Sequence, residues 1–149
     1  MKKRPIVAIT MGDPAGVGPE VAAKAFARHD VGTWCRPLLV GDAGVMRKAQ
    51  DLLGSPLMLQ PITDVAEARF TPGVCDVLDL ENVDPAALQP GVVSPASGRA
   101  SVAYVTTATK LALRGQVDAM ATGPINKAAL REAGIPFIGH TELLTALMG

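Results

Sequence analysis

The residues best suited to hold a substrate are His140 and Thr141, in the run Ile138-Gly139-His140-Thr141-Glu142. An imidazole at a helix start has its charged form disfavoured by the helix dipole, so His140 is expected to stay neutral and to donate to a substrate hydroxyl or phosphate. Thr141 can offer its hydroxyl and its backbone N–H to the same anion. A purely structural reading stands beside this one, with Thr141 as the N-cap of a helix Glu142–Met148 and His140 as a hydrogen-bonded turn residue. His29, the other histidine, sits near a helix C-terminus, where it is a routine dipole partner.

Two further loops carry candidate chemistry. Met11-Gly12-Asp13-Pro14-Ala15-Gly16-Val17-Gly18-Pro19-Glu20 follows a short apolar strand and opens a helix. Its glycines suit either a phosphate cradle of free N–H groups or a tight strand-to-helix connection. Ala121-Thr122-Gly123-Pro124-Ile125-Asn126-Lys127 has the same strand-turn-helix arrangement. Lys127 could meet an anion there or stand in solvent, as most lysines do. Gly12, Asp13 and Lys127 are therefore further candidates to line a cleft, and no residue is assigned a catalytic role.

Other chemistries find little support. One histidine without a second histidine or acid at helical ligand spacing makes no three-ligand metal site. Ser94, Ser97 and Ser101 lack a Gly-x-Ser-x-Gly elbow and read as capping residues of a long helix. Cys35 and Cys75 have neither zinc-site spacing nor disulfide density, and both read as buried small hydrophobes.

The elements that must position these loops alternate between strand and helix. Strands are expected at Pro5–Thr10, Pro37–Gly41, Leu57–Leu59, Cys75–Leu80 and Val117–Thr122. Helices are expected at Pro19–His29, from an Asp42 cap to Gly54 with Val45, Met46, Ala49, Leu52 and Leu53 on one face, from Ser97-Gly98 to Gly115, and at Lys127–Ala133 after an Asn126 cap. This is a doubly wound α/β pattern with a mostly parallel sheet, in which ligands gather outside the carboxyl ends of the strands. The Pro-, Asp- and Asn-rich segment Glu81–Pro95 suggests a boundary between a first α/β domain, 1–95, and the start of a second, 96–149. Gly149 falls where a helix would hand over to the next strand, so the chain reads as truncated.

The bulk composition excludes several classes. Fourteen basic residues balance fourteen acidic ones and aromatics make up 3%, which argues against nucleic-acid and membrane surfaces. At 149 residues with 48% hydrophobic and 19% charged residues, one globular unit with a sizeable core is expected. Lys2-Lys3-Arg4 is the only basic run and reads as a solvated N-terminus, with too few apolar residues after it for a secretory signal. A cytoplasmic location is the expectation.

Together, Gly12-Asp13-Pro14-Ala15-Gly16-Val17-Gly18-Pro19-Glu20, Thr122-Gly123-Pro124-Ile125-Asn126-Lys127 and Gly139-His140-Thr141-Glu142-Leu143-Leu144 resemble the 4-hydroxythreonine-4-phosphate dehydrogenase family, over the N-terminal half of a family member. Glu67-Ala68-Arg69-Phe70 and Gly91–Arg114 look more like the branch acting on 4-phospho-threonate or 4-phospho-erythronate. A more distant likeness is to isocitrate and isopropylmalate dehydrogenases, whose opening turn is shorter. The resemblance implies an isocitrate/isopropylmalate dehydrogenase-like fold and NAD-dependent oxidation of a secondary alcohol on a phosphorylated four-carbon acid. The resulting β-keto acid can lose CO2. It also implies a homodimer, a divalent metal (Zn, Mg or Co) whose three histidine ligands lie beyond Gly149, and His140 with Thr141 as the substrate-binding pair. On that basis the 149-residue chain alone is expected to be inactive. The alternatives are a non-catalytic phosphate-ligand-binding or scaffold domain, and an acyl- or phosphotransferase on a similar fold.

Overall fold

The computed structural model describes residues 3–149. Of the basic run at the N-terminus, Lys2 lies outside the described residues, and Lys3 and Arg4 are exposed. Five parallel strands form one sheet in the order β3-β4-β2-β1-β5: β1 Ile6–Thr10, β2 Arg36–Gly41, β3 Met58–Ile62, β4 Val74–Asp79 and β5 Ala119–Thr122. The central strands are apolar runs without alternation, as strands covered on both faces must be. Leu38, Leu39 and Val40 of β2 and Val77 of β4 are wholly buried, and each such side chain stabilises the fold by about 1.5–3 kcal/mol. β1 pairs with β2 through Ala8↔Leu38 and Thr10↔Val40, and with β5 through Ile9↔Ala121 and Thr10↔Thr122.

Helices α1 Gly18–Phe26, α2 Val31–Trp34 and α3 Ala43–Leu53 connect the first three strands, and α4 Pro95–Leu113 carries the chain from β4 across to β5. Crossovers between parallel strands are right-handed. The steps from β1 to β2 and from β2 to β3 run one way across the sheet, and the step from β4 to β5 runs the other. That reversal puts α1 and α3 on one face and α4 on the opposite face. The packing agrees: α1 lies against α3, and α4 lies against β1, β2 and β5. The fold is thus doubly wound, with β5 from the second half of the chain joining a sheet begun by the first.

Local signals set most boundaries. Asp42 caps α3 by accepting from Val45 N at 3.0 Å, and Gly54 ends it in the left-handed conformation. Several expectations are corrected. The long helix begins at Pro95 rather than Ser97, because Ser94 is its cap, accepting from Ser97 N. Leu52 faces solvent, since the core stripe of α3 is narrower and runs through Val45, Met46 and Ala49. The first helix stops at Phe26, and a separate short turn, α2, follows it. The third strand lies later, at Met58–Ile62, and admits Pro61 because β3 is an edge. Cys75 is buried, whereas Cys35 is only half-buried; burial raises the pKa of both thiols above the usual range and keeps them protonated.

Two last helices, α5 Lys127–Glu132 and α6 His140–Met148, both pack on α4. Gly98 makes the first approach possible: a Cβ there would lie 2.6 Å from the Ala129 carbonyl carbon. α6 anchors through Leu143, its one buried residue.

Candidate functional site

β1 and β5 are neighbours, yet the chain leaves β1 toward α1 on one face and β5 toward α5 on the face of α4. Adjacent strands whose following helices diverge leave a crevice at their carboxyl ends, the customary ligand position in an open α/β sheet. The loop after β1 and the loop after β5 meet at this crevice. Asp13 N donates to Pro124 O at 2.9 Å, and Gly123 N donates to Thr10 O at 3.0 Å and to the Thr10 hydroxyl at 3.1 Å.

The opening turn gives its backbone to this junction. Gly12 has φ +78°, and an added Cβ would meet Pro124 O, with Gly123 C at 2.9 Å. A Cβ on Gly18 would run into Met11 O, and one on Gly123 would lie 2.8 Å from Met11 C. These glycines exist because two backbones pass in contact. The space a phosphate would need over them is taken by the chain itself. Of the three glycines in the turn only Gly16 is exposed, with nothing nearer its virtual Cβ than 3.5 Å. Of the two readings of this turn, the tight connection fits the geometry. Asp13 is part of it: 4% exposed, it accepts from Ala15 N at 2.8 Å and so closes a local turn.

His140 enters the crevice from the third loop. It is the first residue of α6, half-buried, and its Nε2 is screened from solvent without a hydrogen-bond partner. Burial holds its pKa below the ordinary histidine value, with the backbone of Gly123 acting in the opposite direction. A buried polar nitrogen without a partner costs roughly 1–3 kcal/mol, which an incoming hydroxyl or phosphate oxygen would recover. Thr141 does not cap the helix. That place belongs to Gly139, which makes no side-chain bond, so the structural reading of Thr141 fails and its exposed side chain stands in the first turn. Its backbone N–H, like the others of a first turn, has no intrahelical partner.

Lys127 is exposed at the first position of α5, directly after Asn126, whose side chain accepts from Ala128 N and Ala129 N at 2.9 and 3.2 Å. The structure thus brings Gly12, Asp13, Gly123 and His140 to one crevice, with Lys127 and Thr141 at the helix starts that flank it. Sequence reasoning missed Thr10 and Pro124, whose hydroxyl and carbonyl tie the two loops. A buried threonine at a strand end facing a glycine turn was the only signal for the first.

A second crevice opens between β4 and β2, and the chain fills it. Asp42 accepts from Val83 N at 3.3 Å, and Asp79 accepts from Ala43 N and Glu81 N at 3.0 and 3.1 Å. Beneath them Tyr104 bonds Asn82 Oδ1 at 2.9 Å, and burial with the carboxylates of Asp42, Asp79 and Asp13 pushes its phenol far above the usual range. Among the described residues no group of three or more His, Cys, Asp or Glu could hold a metal ion, so the residues present do not make a metal centre. Nor does the self-filled turn make a dinucleotide cradle.

Comparison with known proteins fits this frame. The family of the pyridoxal phosphate biosynthetic protein PdxA matches residues 33–149. A Symbiobacterium thermophilum protein, provisionally named a D-threonate 4-phosphate dehydrogenase, is 49% identical over 149 residues, all of this chain and 44% of its own length. A Desulforapulum autotrophicum protein named 4-hydroxythreonine-4-phosphate dehydrogenase is 42% identical over 95% of the chain and 42% of its own length. The crystal structure of a 4-hydroxythreonine-4-phosphate dehydrogenase from Burkholderia phymatum superposes with a TM-score of 0.96 at 40% identity, covering 99% of this chain and 44% of that one. The chain therefore spans somewhat under half the length of these relatives, and it belongs to the PdxA family.

Proposed function

We propose that the chain is the N-terminal part of an NAD-dependent, divalent-metal-dependent dehydrogenase acting on a phosphorylated four-carbon hydroxy acid. The reaction in this reading is oxidation of a secondary alcohol on 4-hydroxythreonine-4-phosphate, 4-phospho-threonate or 4-phospho-erythronate, followed by decarboxylation of the β-keto acid. The 49% identity to the relative named for D-threonate 4-phosphate favours the threonate ester. The observation that carries the reading is the screened, unpartnered Nε2 of His140 in the crevice between β1 and β5.

His140 holds a substrate hydroxyl or phosphate oxygen through that nitrogen and stays neutral because burial disfavours its charge. Thr141 adds its hydroxyl and its free first-turn N–H. Gly12 and Asp13 shape the crevice floor, and Lys127 faces the anion from the start of α5. The metal (Zn, Mg or Co) and most of the NAD site are supplied from beyond Gly149. Residues 96–149 in this reading begin a dimerisation-side domain, α5 and α6 leading away from the sheet that β5 edges, and the whole enzyme is a cytoplasmic homodimer. Among the described residues no helix is long and apolar enough to cross a membrane.

The test follows NADH absorbance with each of the three phosphorylated acids. Full-length protein should turn over one of them and its His140→Gln variant should lose most of that activity, while the 149-residue chain should turn over none. Full-length protein that binds these acids without reducing NAD would instead mark a non-catalytic phosphate-binding domain.

A further inference from the structure

At the opposite end of the sheet from the crevice, the amino ends of β1 to β4 surround a cavity of about 350 Å³. A five-residue strand separates the two ends by about 16 Å at ~3.3 Å per residue, so the cavity is independent of the proposed function. Arg4, Arg28, His29 and Arg36 line it together with Phe26, Leu57 and Phe70, and no aspartate or glutamate does. In a chain of zero formal net charge, such a one-signed lining calls for a counter-charge.

Arg28 has one: it pairs with Asp30 at 2.6 Å, the only ion pair among the described residues. Arg36 has none. Its Nε donates to the Arg4 carbonyl at 2.7 Å, and its guanidinium carbon lies 5.3 Å from the centre of the Phe70 ring. One edge and one face of this guanidinium are thereby fixed, and its two terminal nitrogens remain to form the bidentate fork that suits a carboxylate or phosphate. The wall is built at a cost. Phe70 has φ +52°, a left-handed conformation unusual for an aromatic residue, and its N–H is held at 2.8 Å by the buried Asp76. Strained residues of this kind persist where the surroundings over-determine them, often at ligand clamps. The remaining wall is apolar, so a bare inorganic ion would leave most of the cavity unfilled.

We propose that this cavity binds a small organic oxyanion, a phosphate or carboxylate carried on an apolar body, with Arg36 and Arg4 holding the charged group and Phe26, Leu57 and Phe70 enclosing the body.

Calorimetric titration of the full-length protein with phenyl phosphate, benzoate and phenol tests this. At least one of the two anions should bind at least tenfold more tightly than phenol; phenyl phosphate ahead of benzoate assigns a phosphate ester, and the reverse a carboxylate. Arg36→Gln should weaken the better anion by about 10–100-fold, the loss expected for one charge-assisted hydrogen-bond pair. Arg4 is exposed, so Arg4→Gln serves as a second variant with little risk to folding, and it should weaken binding several-fold. No heat with either anion at 10 mM on the order of the weakest specific sites overturns the proposal. So does equal binding of phenol, or anion affinity unchanged within about twofold in both variants when their thermal unfolding matches the parent.

Discussion

Three glycines of the opening turn, substituted one at a time by alanine, separate the two physical reasons a glycine can be needed there. Gly12→Ala suffers both. Its φ of +78° strains any L-residue, and its new Cβ would collide with Pro124 O and lie 2.9 Å from Gly123 C. Strain of about 1–2 kcal/mol, overpacking against backbone of about 1–3 kcal/mol and weakening of the Asp13–Pro124 hydrogen bond by up to about 1 kcal/mol sum to roughly 2–6 kcal/mol. That is a large share of the roughly 5–15 kcal/mol by which a domain is stable. Gly18→Ala suffers the collision without the strain, since its φ lies outside the left-handed region while its new Cβ would run into Met11 O, and should cost about 1–3 kcal/mol. Gly16→Ala suffers neither and should be neutral or stabilise by up to about 1 kcal/mol through the unfolded chain. Urea unfolding followed by the far-ultraviolet signal gives the three values directly. A Gly12→Ala cost under about 1 kcal/mol, or a Gly16→Ala cost equal to that of Gly12→Ala, would refute the view that this turn is glycine-rich because two backbones touch.

Other expected outcomes follow from single groups. His140 has its pKa lowered from the usual 6.5 by burial, so the folded state binds its proton less readily than the unfolded state; stability should fall as pH drops below 6.5 and level off below the folded pKa. His140→Gln should remove that component of the pH profile of urea midpoints and raise KM for the phosphorylated substrate in the full-length enzyme, and a profile identical to the parent's would count against the buried imidazole. Tyr104 is the only tyrosine, and its phenol is raised well above 10 by burial first and by three carboxylates after it; the folded state therefore loses stability only as pH rises past the unfolded value. Phenolate absorbance near 295 nm should accordingly appear together with unfolding, and its appearance in native protein near pH 10 would contradict the buried placement. Asn126→Ala removes both bonds that start the six-residue α5 and should cost about 1–2 kcal/mol in thermal or urea unfolding.

How much of this was legible in the chain depended on the range of the forces involved. Asp42, Asn126 and Gly54 announce themselves because a cap or a left-handed stop is decided within four residues, and β1 and β2 because a fully covered strand must be apolar throughout. Thr141 misled for the same local reason. A threonine before an apolar run is a good N-cap, yet Gly139, with extended φ −173°, takes that position and starts α6 two residues earlier. The difference matters chemically, since it leaves the hydroxyl of Thr141 uncommitted and puts the screened nitrogen of His140 at the helix start. The role of the glycines could not be read locally at all. Gly12 and Pro124 are far apart in sequence and meet only because β5 docks beside β1 with Thr10 opposite Thr122. A phosphate cradle and a backbone crossing demand the same residue type, and only the identity of the group above the glycine distinguishes them. Here that group is a carbonyl of the chain itself. In the proposed reading an anion at this crevice has its donors at His140, Thr141 and Lys127, at the starts of α6 and α5 on the face of α4, while the glycine turn ties the end of β1 to the loop after β5.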